Sequence, residues 1–501
     1  MRMRSALLAS VLAVGSSALL AGANALRVAA SGPTLNGAGS TWVQIALDQW
    51  RADIAQQGYS INYSGIGSSA GRQAFIQNTV DFAASEIPFQ PGESPSRAFE
   101  YLPDVAGGTA LMYNLHAPDG SRITSLKLDA HAAARIFTGG LTSWQDSEVQ
   151  SLNPGLTIQE PNVNAVVRSD GSGTSAQFSL YLASQAPSVW NPFAQANGCP
   201  APCSLWPPIF PAAQNGSDGV ASFIADSTKG PGGIGYVEAG YAQGYSFPVA
   251  ALHNASGNYT LPTAGNVATA LQHAGFNADN SQNLSGVYVA PEANAYPMSS
   301  YSYLIAPTSG FDPAKGAVLG RWLIYIACGG QREAAPLGYS PLPPVLVKNV
   351  FDAVHRIPGA PATPAIDNAD CPNPTVTNPP GTAPPTSNVF AGPSGSAASH
   401  GSAGSGVLGP SASAGAGATA TAGATAAAGL GGVTPGATDV ATLGQEQRNA
   451  SFVLAQQTAL HAQLGSSWPF LASGIVLLIV VFVPVFISWR RGPRPGGGGD
   501  A

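Results

Sequence analysis

Near its C-terminus the 501-residue chain carries PFLASGIVLLIVVFVPVFIS, a run at residues 469–488 with no charged side chain. A helix rises about 1.5 Å per residue, so this run matches a hydrocarbon core about 30 Å thick. It predicts one transmembrane helix, over 468–489 with its flanks. Trp468 and Trp489 bracket it as interfacial anchors, and Arg490, Arg491 and Arg494 follow at once. By the positive-inside rule the short tail at 490–501 is cytoplasmic and everything before the span lies outside. Pro484 is tolerated, because neighbouring groups in a membrane helix satisfy the backbone that proline frees.

The other end agrees with that topology. Arg2 and Arg4 precede an apolar stretch at residues 6–20, and Ala23-Asn24-Ala25 supplies small residues for cleavage. This predicts a signal peptide over 1–25. Four cysteines, Cys199, Cys203, Cys328 and Cys371, are an even number in an exported chain, which favours two disulfides over a metal site. Cys199 and Cys203 can close a small loop, leaving Cys328 and Cys371. No second Cys/His pair accompanies them, so no metal is expected, and no other cofactor either. A formal charge of −6 with no long basic run argues against a nucleic-acid partner.

Apolar residues make 45% of the chain, enough for a packed domain, but Gly (60) and Pro (42) are unevenly spread. Segments such as PNPTVTNPPGTAPPTS and GAGATATAGATAAAGLGG contain almost nothing that can build a core. They predict a disordered spacer over 359–444, followed by a weakly helical stem at 445–467. What remains, 26–358, exceeds what one core usually serves and predicts two lobes. Strands are expected near 59–64, 165–168 and 233–237, and helices near 42–56 and 314–327. In the first helix Val43, Leu47, Trp50 and Ile54 recur at spacings of four and three. The alternation makes the class α/β.

One local pattern occurs three times: an apolar extended stretch, a Gly/Ser/Thr turn, then an amphipathic helix. The copies are LNGAGSTW at 35–42, INYSGIGSSAG at 61–71 and VVRSDGSGTS at 166–175. Small residues leave the first helical N–H groups uncovered, with hydroxyls beside them as further donors. Such helix starts attract anions. Arg168 would add a permanently charged planar fork, held by Asp170 two residues on. A Walker motif is absent, and Gly65-Ile66-Gly67 is too short for a dinucleotide fingerprint.

At these residues the chain resembles the phosphate-binding protein of bacterial high-affinity phosphate ABC transporters. The resemblance continues through NTVDFAASE at 78–86, IFTGGLTSW at 136–144, SLNPGL at 151–156, GGIGYVEAGYA at 232–242 and LGYSPLP at 337–343. It implies a two-lobed periplasmic-binding-protein fold with phosphate buried in a cleft between the lobes. Thr41 and Ser68 would contact phosphate from one lobe, and Arg168, Ser172, Gly173 and Thr174 from the other, with Asp170 pairing the arginine. Trp42 stands where the family usually has Phe, whose backbone N–H meets the anion. Glu86 stands where the family has an aspartate that accepts a hydrogen bond from the protonated phosphate oxygen. A carboxylate there discriminates against fully ionised sulfate, which has no hydrogen to offer and repels it.

The resemblance implies a binding protein with no catalytic residue, whose partners are inorganic phosphate and ABC permease subunits. The head is expected to be a monomer, outside the cell membrane and tethered to it by the single span. Two other classes fit parts of the sequence. Gly67-Ser68-Ser69-Ala70-Gly71 satisfies G-x-S-x-G, which would make Ser69 a hydrolase nucleophile, although no histidine is singled out as its partner. A surface-displayed module that has kept the fold and lost or altered oxyanion binding also suits the tether, with Glu86 as its one supporting residue.

Overall fold

In a computed structural model of the chain, residues 32–377 are described. Eight strands form one sheet: β1 (Leu35–Gly39), β2 (Ile61–Gly65), β3 (Phe82–Ser85), β4 (Phe99–Asn114), β5 (Asn164–Arg168), β6 (Ala212–Gln214), β7 (Gly233–Glu238) and β8 (Ser299–Pro307). Their order is β2-β1-β3-β8-β4-β7-β5-β6. β1 lies parallel between β2 and β3, and β5 lies parallel between β6 and β7. Each parallel group is the sheet of one lobe.

The antiparallel strands β4 and β8 join them. Residues 99–108 of β4 pair with β8 on the first-lobe side, and residues 109–114 pair with β7 on the second. One strand therefore belongs to both lobes.

Helices α1 (Gln44–Ala55), α2 (Ser68–Ile76), α3 (Gly173–Gln185), α4 (Gly216–Ala225), α5 (Pro313–Ala327) and α6 (Pro344–Val354) cover the sheet. α1 buries Ala46, Leu47, Trp50 and Ile54, the face that the sequence spacing marked, with Val43 also fully buried as its cap. The expected strands and the α5 helix are present within a residue or two of their predicted limits. α5 seats Trp322 edge-on against Phe82, ring centroids 5.1 Å apart. In the second lobe, Val220, Ala221 and Ile224 of α4 pack on Met112, Val166 and Val237.

Both disulfides form as the spacing allowed, Cys199 with Cys203 and Cys328 with Cys371. The second corrects a boundary. Composition assigns the chain from 359 to the linker, yet residues 359–377 pack on the head. Cys371 is fully buried, and the Asn373 amide donates to the carbonyls of Ala327 and Leu342, each at 3.0 Å. Proline-rich composition disfavours a core of its own, but it does not prevent a strap from lying on another. Among the described residues no helix is long and apolar enough to cross a membrane. The expected signal peptide, stem and span lie outside the described residues.

Candidate functional site

Ligands of open α/β sheets bind beyond the carboxyl ends of parallel strands. Here β1 leads into Ser40 and Thr41, β2 into Ser68, β3 into Glu86, and β5 into Arg168 and Asp170. These residues come from both lobes and meet at one place. Ser69 N–H donates to the Gly171 carbonyl at 3.0 Å, and Gly173 N–H donates to Ser68 Oγ at 3.2 Å. The lobes are closed on each other.

Arg168 is 2% exposed. Its Nε donates to Asp170 Oδ1 at 2.7 Å and its Nη2 to Oδ2, a two-pronged pair that fixes the plane of the guanidinium. Nη1 points to Ser217 Oγ at 3.3 Å and Thr174 Oγ1 at 3.4 Å. Asp170 also accepts the Gly216 N–H at 3.0 Å, which ties the β5 turn to the start of α4. Burial alone would raise the Asp170 carboxyl; the hydrogen bonds and charge of Arg168, with the Gly216 N–H, outweigh it and hold the group below the usual aspartate value. Gly67 passes over this pair at φ +87°, where a Cβ would come within 2.5 Å of Asp170 Oδ2, so both the turn and the close approach require glycine.

Glu86 is 1% exposed, which excludes a solvent-facing role. Ser40 Oγ donates to its Oε1, Ser68 Oγ donates to Oε2 at 2.8 Å, and Ser302 Oγ lies 3.4 Å from Oε1. Burial pushes its carboxyl up; Ser40, Ser68 and the charge of Arg168 act in the opposite direction without cancelling it. A Cβ on Gly173 would stand 2.0 Å from Glu86 Oε2, so the longer acid is accommodated by bare backbone on the facing lobe. The Gln177 amide, from α3, donates to the Glu86 carbonyl at 2.6 Å.

The loop after β1 is held in an unusual way. Its three successive carbonyls each accept a tyrosine hydroxyl: Ser40 O from Tyr63 at 2.7 Å, Thr41 O from Tyr241, and Trp42 O from Tyr339 at 2.6 Å. All three rings are buried, and burial pushes each phenol well above its ordinary range, so they remain protonated donors. With its acceptors engaged in this way, the loop presents hydroxyls to the site, Ser40 Oγ to Glu86 and Thr41 Oγ1 to Ser217. Trp42 N–H donates to Ser40 Oγ at 2.9 Å, so in this closed form it does not point freely into the site.

The residues singled out in the sequence thus converge, with one change of emphasis. The Ser172 hydroxyl accepts from Ser175 N–H at 3.1 Å as the cap of α3, and its own N–H donates to Ser204 O at 2.8 Å. Five participants escape sequence reasoning: Ser40, Ser217 and the three tyrosines. Ser40 lies inside the first copy of the pattern, next to Thr41, and nothing local distinguishes the two. Ser217 bonds Thr41 through both its N–H and its hydroxyl, each at 3.1 Å. The signal was available, because β6, Asn215-Gly216-Ser217 and α4 make a fourth copy of the strand, turn and helix pattern. The tyrosines carried no local signal; only the fold brings them to one loop.

Ser69 does not assemble a triad. Its hydroxyl lies 3.5 Å from Arg72 Nη2, whereas His116, His131 and His273 pair with Glu160, Glu148 and Glu292 elsewhere on the surface.

A family model described as a PBP superfamily domain matches residues 27–325. The phosphate-binding protein PstS of Xylella fastidiosa (strain Temecula1) is 32% identical over 317 residues, covering 63% of this chain and 83% of that one. Phosphate-binding protein PstS 2 of Mycobacterium tuberculosis is 27% identical over 339 residues, covering 64% of this chain and 87% of the relative. In fold, the chain is similar to the crystal structure of an ancestral soluble variant of the human phosphate binding protein. That match has a TM-score of 0.51 at 19% identity, over 66% of this chain and all of the other. The superfamily match over more than half the chain, together with the likeness to a relative covered for most of its length, shows that this chain belongs to the periplasmic-binding-protein superfamily and, within it, to the PstS family.

Proposed function

We propose that this protein captures inorganic phosphate outside the cytoplasm and delivers it to an ABC-type importer, as a binding protein and not an enzyme. The observation that carries this is the meeting of Arg168, fixed by Asp170, with a buried acceptor at Glu86, among the hydroxyls of Ser40, Thr41, Ser68, Thr174 and Ser217. Arg168 and the neutral donors neutralise an oxyanion. Glu86 selects one that still carries a proton, since only a P–OH can donate to it.

Closure of the lobes would desolvate the anion and present one shape to permease subunits. The chain at 378–444 serves as the spacer, the run at 468–489 as the anchor, and a monomeric head suits capture of a single small ion. One span cannot form a transport path, so the permease is a separate protein. A tether of this length keeps the head near it and raises its effective concentration.

The test is a titration of the full-length chain, stripped of bound anion, with phosphate, arsenate and sulfate, followed by heat and tryptophan fluorescence. Saturable phosphate and arsenate binding with sulfate excluded is expected. A folded chain that binds no oxyanion would instead be a surface module that has kept only the architecture.

A further inference from the structure

Asp104 has no place in the site as described so far. It sits on β4 at a break in register, where Ser302 of β8 faces Val105 while the next residue, Tyr303, faces Pro103. Asp104 is the extra residue of a β-bulge, a device that re-aims a side chain. Its freed carbonyl is taken by the Gln331 amide at 2.8 Å. Its side chain goes inward: Asp104 is 1% exposed, and neither carboxyl oxygen has a hydrogen-bond partner of good geometry.

Glu86 is its neighbour in charge. The Val105 backbone and Ser302, whose Oγ lies 3.4 Å from Glu86 Oε1, both act on Asp104 in favour of its charged form, against the burial and the Glu86 charge that outweigh them. From the elements packed around it, the ionisable groups that act on Asp104 or feel it are Glu86 beyond β3, Tyr63 on β2 and Tyr339 ahead of α6. Tyr339 in turn faces the buried Glu238 of β7, and Arg168 acts on Glu86 from the other lobe.

We infer that Glu86 and Asp104 form a buried acid pair holding one proton, carried by Asp104, so that Glu86 alone meets the bound anion as a charged acceptor. Geometry sets which of the two is protonated. Glu86 has two serine hydroxyls donating to it and a guanidinium nearby, all favouring the carboxylate. Asp104 has no comparable partner, and burial together with the Glu86 charge pushes its carboxyl well up. Two negative charges here would oppose a third on the incoming anion. Asp104 therefore sets the alkaline limit of binding, acting through Glu86 as a positioning residue. This rests on the phosphate-capture reading above.

Infrared spectra of the full-length chain, recorded across a pH titration alongside phosphate affinity, test the pair. A protonated-carboxyl band is expected at neutral pH, part of which disappears in Asp104→Asn and a different part in Glu238→Gln. In the unsubstituted chain, phosphate affinity falls about tenfold per pH unit beyond the point where the Asp104 band bleaches, and holds wherever it persists. In Asp104→Asn that alkaline fall is absent. An unchanged band in a folded Asp104→Asn overturns the inference, as does affinity that falls while the band persists. If Asp104→Asn does not fold, the tracking of affinity with the band in the unsubstituted chain decides. A chain that binds no phosphate refutes the capture reading, while the band still reports where the proton sits.

Discussion

The Tyr241 hydroxyl, carried on the helix that follows β7, donates to the backbone carbonyl of Thr41 on the opposite lobe. The contact therefore spans the two lobes. It adds to the Thr41 and Ser217 pair, whose hydroxyls lie 3.1 Å apart across the same boundary.

Tyr241→Phe removes the donor and leaves the Thr41 carbonyl buried without it. Phosphate affinity is expected to fall by about 1 to 3 kcal/mol. Because the lost contact spans the two lobes, the change is expected mainly as faster release in stopped-flow tryptophan fluorescence.

Arg168→Lys keeps the charge and loses the fork. A single ammonium cannot hold Asp170 through two parallel bonds while facing Ser217 and Thr174, and calorimetry should show phosphate binding weakened by about a hundredfold or more.

Asp170 makes this pair sensitive to acid. Its folded carboxyl is held below the unfolded value, so the stability it contributes is fully present above about pH 4. That stability is lost as pH falls through the depressed folded value. Denaturant unfolding at a series of acidic pH values should show this limb, and Asp170→Asn should flatten it.

Glu86→Gln exchanges a pure acceptor for a group that can also donate. Phosphate affinity is expected to drop about tenfold while sulfate, excluded before, begins to bind. Competition between the two anions measures the change directly. If sulfate stays excluded in this variant, Glu86 is not the selecting group.

The Cys328 and Cys371 disulfide closes a sequence separation of 43 residues and fastens the strap at 359–377 to the head. Replacing both cysteines with serine should cost about 4 kcal/mol of unfolding free energy, read from denaturant midpoints.

Much of the site was legible in the sequence because helix starts and anion-binding turns are local. A short Gly/Ser/Thr turn between a strand and a helix dictates where N–H groups and hydroxyls go, and Arg168 with Asp170 two residues on reads as a held fork. The helical spacing of Leu47, Trp50 and Ile54 likewise needs no tertiary information. What escaped depends on distant pieces of chain. Tyr63, Tyr241 and Tyr339 converge on Ser40, Thr41 and Trp42 from three separate elements, and Asp104 turns inward through a register break that only the partner strand reveals. The strap at 359–377 was missed because composition reports whether a segment can form a core, not whether it is covalently pinned to one.

β4 pairs along one half of its length with the first lobe and along the other half with the second. The lobes are therefore not two bodies on a string. Any parting of the cleft must be absorbed as bend and twist in a hydrogen-bonded ribbon, which acts as a leaf spring and confines the motion to a narrow arc. At the changeover, a Cβ on Gly107 would come within 2.6 Å of the Trp42 ring. The indole of the binding loop is thus seated on the flexing point itself, and bending there is felt at the loop without any intermediate linkage.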